Sequence, residues 1–299
     1  MFCECGNYLS KTVCVKQVNQ NPFEQEIAQV SEIHFRSSEN KYLPEKHKEN
    51  LIKAHNTGSQ IIKNGGHEPE PFETALLVEE YRWFWKPKNV KFVLVAESHV
   101  YAGKEEISVE INPQKLRRYA PSYPQGGPLN FAKIVYCPGY GEPDILDSPE
   151  KIENNPGTKQ FIDLFRKCLG YNKPTERSLE WKARILRAAR DNGLWLLDAS
   201  CHACAKGNKE RLPKQIVDRI VPFSWKKYVE PIVDELEIDS EKVWIIGKGT
   251  HDLIRGKYAT GNNWSYQPNV IVKKDTEMYE EKKRREQSLQ KTVREALSM

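Results

Sequence analysis

The chain has no long apolar run. Nothing in its 299 residues approaches the ~18 successive apolar side chains that cross a bilayer, so no membrane association is expected. Its start, Met-Phe-Cys-Glu-Cys-Gly, lacks a basic stretch leading into an apolar one and does not read as a secretory leader. Cysteine is scarce and odd in number, at 7. With no export signal, that points to reduced thiols and a cytoplasmic location. Neither sign of charge dominates, since 46 Lys+Arg stand against 41 Asp+Glu. No internal repeat is present. What remains, 38% hydrophobic and 29% charged residues, excludes a fully disordered chain. The length suits one large domain or two small ones.

Residues 1–90 are polar, above all from Ser37 to Glu70, and read as an N-terminal extension or helical layer. Helical spacing is expected from Glu73 to Trp85, with Ala75, Leu76, Tyr81 and Trp85 on the buried stripe. After Pro87 the character changes. Lys91–Ala96, Gly193–Asp198, Val243–Ile246 and Asn269–Val272 are continuous apolar, β-rich runs, as buried parallel strands are. Between them lie helical patterns. Phe161, Leu164, Phe165 and Cys168 form one stripe, which Gly170 is placed to end. A second runs from Trp225 to Leu236, with a kink expected at Pro231. Strand–helix alternation predicts an α/β three-layer sandwich with a central four-stranded, mostly parallel sheet over residues 91–274. Residues 275–299 read as a charged, solvated helix.

Ligands of open parallel sheets bind beyond the carboxyl ends of the strands. Three such ends collect titratable residues here: Glu97-Ser98-His99, Asp198-Ala-Ser-Cys-His202 and Lys248-Gly-Thr-His251. Each has a plain alternative as a helix cap, turn or surface residue. It is their clustering that marks a site.

Those strands also carry a resemblance. Phe92–Ser98 is similar to the first motif of the uracil-DNA glycosylase superfamily, an apolar strand entering a Gly-Gln-Asp-Pro-Tyr-His-type loop. Gly193–Ser200 resembles that family's Gly-Val-Leu-Leu-Leu-Asn-type strand, and Val243–Thr250 resembles the strand before its DNA-intercalating loop. The match spans roughly Lys91 to Lys273. It implies a parallel sheet flanked by helices and a base flipped into a pocket at the strand ends. The implied chemistry is hydrolysis of the N-glycosidic bond without a cofactor, by a monomer acting on DNA.

The departures from the family are informative. Asp198 stands where the resemblance places an asparagine. An ionised carboxylate only accepts hydrogen bonds and so suits the exocyclic amino group of a cytosine; a protonated Asp198 would still serve uracil. Val100 replaces a tyrosine that excludes 5-substituents. The long Tyr101–Pro128 segment, with Tyr119, Tyr123 and Gly126-Gly127, has room for a bulky modification such as a sugar on hydroxymethylcytosine, or is a surface insertion. Phe131 is similar to the family's stacking phenylalanine, with a core role as its rival. Ser98 replaces the water-orienting aspartate, which leaves Glu97 for that role, with His99 in reserve. No His-Pro-Ser-Pro stretch occurs. His251 substitutes as the group that bonds the departing base, and Trp264 as a wedge in the stack. His202 is placed beside the base.

From Lys206 to Lys227 there are seven basic and two acidic residues, an excess equal to that of the whole chain. Lys206, Lys209, Arg211 and Lys214, with Lys248, are the expected phosphate contacts. Cys201-His-Ala-Cys204 resembles a metal or redox pair. No second ligand pair stands at zinc spacing, although Cys3, Cys5 and Cys14 could join it in space. No metal is assigned. The leading expectation is a glycosylase for a 5-modified cytosine, coherent with defence against phage, with uracil excision in base-excision repair as the alternative. A non-catalytic nucleic-acid-binding module and a Cys201/His202 thiol enzyme stay open.

Overall fold

The computed structural model describes residues 41–206 and 210–298. The described residues fall within one compact unit. In chain order the helices are α1 (Glu45–Asn64), α2 (Phe72–Phe84), α3 (Lys104–Ile107), α4 (Pro113–Tyr119), α5 (Lys159–Cys168), α6 (Leu179–Asn192), α7 (Lys214–Ser224), α8 (Glu230–Asp234), α9 (Lys248–Leu253) and α10 (Glu277–Leu297). The strands are β1 (Phe92–Ala96), β2 (Leu194–Asp198), β3 (Ala205–Lys206), β4 (Glu210–Arg211), β5 (Val243–Ile246) and β6 (Trp264–Ser265).

Four strands make a central, wholly parallel sheet in the order β2-β1-β5-β6, flanked by helices as a three-layer α/β sandwich. Every residue of β1, β2 and β5 is buried, because a parallel sheet is covered on both faces by its crossover helices. Helix α1 packs on α2 and α7, whereas α5 packs on α6 and α10. Register pairs Phe92 with Leu194 and Ala96 with Asp198, so β1 and β2 end level. Gly193 makes this possible. It takes φ +94° directly after α6, and a Cβ there would lie 2.7 Å from the Asn89 carbonyl oxygen. Only glycine lets the helix turn straight into β2.

Two local expectations are corrected. The fourth strand is Trp264–Ser265, paired to Ile245 and Ile246. Asn269–Val272 forms no strand, and Ile271 is 97% exposed. The Trp225–Leu236 stripe is not one kinked helix: α7 gives way to a wider π turn over Trp225–Val229 before α8 begins. Pro231 lacks the N–H that an unbroken α-helix needs there, and the wider turn absorbs the defect. The polar stretch before Glu70, read as an extension or helical layer, holds the 20-residue α1, whose buried stripe is His47, Leu51, Ala54, His55, Gly58 and Ile62. Residues 41–90 thus belong to the same compact unit as the sheet.

Helix α2 is buried nearly all round, including Glu79, Glu80 and Arg82. Helix α10 buries Leu289, Val293 and Leu297 on one face and solvates the rest. No described helix is long and apolar enough to cross a membrane.

Candidate functional site

Beyond β1 and β2 the two chains stay joined. The Ala199 N–H donates to the Ala96 carbonyl at 2.8 Å and the Ser200 N–H to that of Glu97 at 3.0 Å. The serines then shape the exit loops. Ser98 Oγ accepts from the Cys204 N–H at 3.0 Å, and Ser200 Oγ from the His202 N–H at 3.1 Å.

Under these loops runs a buried chain of alternating charge. His99 Nε2 donates to Glu70 Oε2 at 2.6 Å, and its Nδ1 lies 3.6 Å from Asp198 Oδ2. That oxygen takes a 2.7 Å bond from Arg82 Nη2, and Arg82 Nη1 bonds Glu79. Glu70 also accepts from the backbone N–H groups of Ala102 and Ala203. All five side chains are buried. Burial works against a charged His99, but the carboxylates of Glu70 and Asp198 outweigh it and raise its pKa to about 9. His99 is therefore an imidazolium at neutral pH. Among the described residues Asp198 Oδ1 has no hydrogen-bond donor, and His99 Nδ1 has no partner within hydrogen-bonding distance.

Beside this chain lies a neutral pair. The rings of His55 and His202 stack with centroids 4.4 Å apart. His202 Nε2 meets Ser59 Oγ at 3.1 Å, and its Nδ1 sits 3.5 Å from Cys201 Sγ. Gly58 of α1 admits the ring, since a Cβ there would come within 2.4 Å of it. Burial lowers both histidines, His55 to about 4. Burial likewise pushes the Cys201 and Cys204 thiols up to about 12. Both are free and protonated at neutral pH, which removes the thiolate that a cysteine nucleophile needs. Among the described residues no three His, Cys, Asp or Glu side chains are grouped to hold a metal. Cys3, Cys5 and Cys14 lie outside the described residues.

The other expected residues are scattered around this core. Glu97 sits at the rim, ion-paired with the half-exposed Arg211 of β4; it shares no partner with Asp198. The carboxylate facing Asp198 across the His99 ring is instead Glu70. Val100 is half-buried and bridges to Ala205. Phe131 is fully buried, edge-on to Tyr140 in the hydrophobic core. Tyr123 is packed between Phe84 and Trp85, while Tyr119 is exposed. His251 is buried past the end of β5; among the described residues neither ring nitrogen makes a hydrogen bond, and Nδ1 lies 3.6 Å from Asp252 Oδ1. Trp264 is buried within β6 beneath the Arg285 guanidinium, 3.6 Å from its ring centre, so a wedging role requires that stack to break. Lys248 is exposed above the same ring.

The basic segment is less cationic than its composition. Lys206 pairs with Glu210, Arg211 with Glu97, Lys214 with Asp218 and Lys226 with Glu230. Glu97 and Glu230 come from outside it. Lys206 also lies over the Tyr101 ring at 4.6 Å. Lys209 lies outside the described residues.

Sequence reasoning missed Glu70 and Arg82 by leaving the N-terminal segment out of the site. One signal was there. Arg82 stands in Tyr81-Arg-Trp-Phe-Trp85, where a cation crowded by aromatics has no solvated face and must be paired within. No family model matches the chain, and neither the curated proteins nor the solved structures contain a match to it.

Proposed function

We propose that the protein is a DNA glycosylase, which draws a base out of the stack at the carboxyl edge of β1 and β2 and hydrolyses its N-glycosidic bond. The base we assign is a cytosine with a bulky 5-substituent, such as a glucosylated hydroxymethyl group, and the setting is defence against phage that carry such bases.

One observation carries this reading: the Asp198–His99 pair, a carboxyl group and an imidazole set 3.6 Å apart at the strand ends. Asp198, bonded by Arg82 through Oδ2, offers Oδ1 to an exocyclic amino group. His99, held as an imidazolium, aims Nδ1–H at the neighbouring ring acceptor and stabilises negative charge on the departing base. Glu97 serves the opposite charge, orienting the water or facing the sugar cation. Its present partner Arg211 is 54% exposed, and a DNA phosphate competes for that guanidinium. Because Asp198 and His99 are buried, entry of the base requires the edge to open, and DNA binding supplies the free energy for that step.

A second reading has support in the same pair. A donor beside an acceptor is also what an amide carries, and it suits O4 and N3–H of uracil. Incubation with plain, uracil-containing and glucosylated hydroxymethylcytosine DNA, followed by an abasic-site assay, separates the two. Cleavage of the glucosylated DNA alone is expected. Absence of abasic product from all three rejects the enzyme. Asp198→Asn is expected to shift preference towards uracil, and an unchanged profile removes Asp198 as the base reader.

A further inference from the structure

One short helix presents cations that the fold does not neutralise. Helix α4, Pro113-Gln-Lys-Leu-Arg-Arg-Tyr119, carries Lys115, Arg117 and Arg118 and no acidic residue. Asn112 caps it, with Oδ1 accepting from the Gln114 and Lys115 N–H groups at 3.0 Å each, and Leu116 anchors it in the core. Lys115, Arg118 and Tyr119, spaced i, i+3 and i+4, share one outer face, and all three are exposed. Among the described residues no carboxylate lies within 4.0 Å of the three cations. Arg117 reaches only the Pro113 carbonyl, at 3.2 Å. Asp147, close by, accepts instead from the Asn112 amide at 3.1 Å, and Asp144 stands exposed on the adjoining turn Pro143–Ile145. The other basic stretches differ. Lys206, Arg211, Lys214 and Lys226 are each ion-paired, and Lys282–Arg285 of α10 is interleaved with Glu280, Glu281 and Glu286.

We propose that the outer face of α4 holds a single strand of DNA, with Lys115 and Arg118 on its phosphates and the Tyr119 ring stacked on an unpaired base. The choice of DNA rests on the glycosylase reading; the conjunction of free cations with an exposed ring does not. Tyr119 is 48% exposed, and the Arg118 guanidinium lies 5.6 Å from its ring centre. Charge and aromatic face are thus presented together. Strands are gripped in this way without regard to sequence, because every base has a π face. A closed duplex hides those faces between its stacked pairs, so the surface selects an opened strand.

The backbone ties α4 to the proposed base site. Val100, next to His99, donates its N–H to the Lys133 carbonyl at 3.2 Å. The Phe131 N–H then donates to the Val109 carbonyl at 2.9 Å, and the Ile111 N–H to that of Leu129 at 2.6 Å. Helix α4 begins two residues after Ile111. Leu129 to Lys133 is four residues, which span at most about 14 Å, or about four nucleotide steps of one strand. At the other end of α4 the Ser122 N–H donates to Glu180, in the first turn of α6, at 3.0 Å. A strand whose base enters beside His99 can therefore reach α4 within a few nucleotides.

Fluorescence anisotropy on the full chain tests the proposal, with a labelled single-stranded oligonucleotide and its duplex titrated across a salt series. For Lys115→Gln/Arg118→Gln the slope of log affinity against log salt is expected to fall by about 1 to 1.5 on the single strand, at ~0.7 per phosphate contact. Lys115→Arg/Arg118→Lys, which keeps both charges, is expected to keep the slope. An unchanged slope in the first variant, or an equal fall in the second, overturns the phosphate contacts. Tyr119→Ala is expected to weaken the single strand about tenfold and the duplex by no more than about twofold, the former within the range for one base stack. Tyr119→Phe is expected to bind as wild type. An equal loss on strand and duplex, or none on either, overturns the stacking. The two readings fail separately. Wild type that binds the strand through α4 yet makes no abasic site in any DNA rejects the glycosylase and keeps this surface. Abasic-site formation with strand binding untouched by the α4 variants does the reverse. Wild type that binds no DNA but sediments with phosphatidylserine vesicles overturns the nucleic-acid assignment.

Discussion

Two histidines follow parallel strands at the same edge of the sheet, and their surroundings are opposites. His99, after β1, is wedged between Glu70 and Asp198 and held charged. His251, after β5, is also buried, with Nδ1 3.6 Å from Asp252 Oδ1, but among the described residues neither of its ring nitrogens makes a hydrogen bond. The first arrangement fixes a charge pattern in advance. The second leaves hydrogen-bonding capacity unspent, at a cost of roughly 1–3 kcal/mol for a buried unpaired polar group. The β1–β2 end is thus the part of the edge where packing fixes a histidine's charge, and the β5 end the part where a buried imidazole makes no described hydrogen bond.

The largest effects are expected where charge is fixed. Arg82→Leu leaves Glu79 and Asp198 buried without their shared cation, and breaking a buried ion pair in this way costs about 3–5 kcal/mol. Urea unfolding at pH 7 measures it. A loss below about 1 kcal/mol would mean that water reaches the chain and that the contrast with His251 is false.

The next effect is a pH dependence with two opposed limbs. The folded-state pKa of His99 is raised, so its contribution is complete below the unfolded value of about 6.5 and fades as pH rises through about 9. His55 is depressed to about 4, so its contribution is complete above about 6.5 and fades as pH falls towards 4. Stability is therefore expected to peak near neutrality and to decline on both sides. Glu70→Gln, which replaces the carboxylate on His99 Nε2, should flatten the alkaline limb and, because the same carboxylate supports a charged His55, deepen the acid one. An alkaline limb that persists in this variant would assign the titration to another group. Unfolding midpoints at pH 5, 7 and 9 decide it.

How far the sequence reveals this edge follows from the same contrast. Strands β1, β2 and β5 are legible because burial on both faces writes a continuous apolar run. Asn269–Val272 has that same pattern and is no strand, since Ile271 has no sheet neighbour to cover it. A local run cannot report whether a partner strand exists. Strand β6, only two residues long, is too short for any periodicity. Within the site, His99 and Asp198 are legible as titratable residues at strand ends. Glu70 and Arg82 are not, because they reach Asp198 and His99 only through the packing of α1 and α2, a tertiary event between segments over a hundred residues apart for Arg82 and Asp198. Phe131 shows the converse: a motif position similar to a stacking aromatic is filled by a side chain with no exposed surface.

The smallest stability effect and the sharpest functional one are expected to coincide at His251. His251→Gln removes a ring that bonds no described residue, so unfolding should change by no more than about 0.5–1 kcal/mol, in contrast to Arg82→Leu. If the imidazole bonds the departing base, abasic-site formation should nevertheless fall by about 100-fold or more, the range for one positioned donor or proton-transfer group. The two readouts must separate for the argument to hold. A loss of stability as large as that of Arg82→Leu would mean that His251 is a packing residue with an overlooked partner. Unchanged turnover at unchanged stability would move the group that meets the base from the β5 end to His99, and the edge would then have one working half.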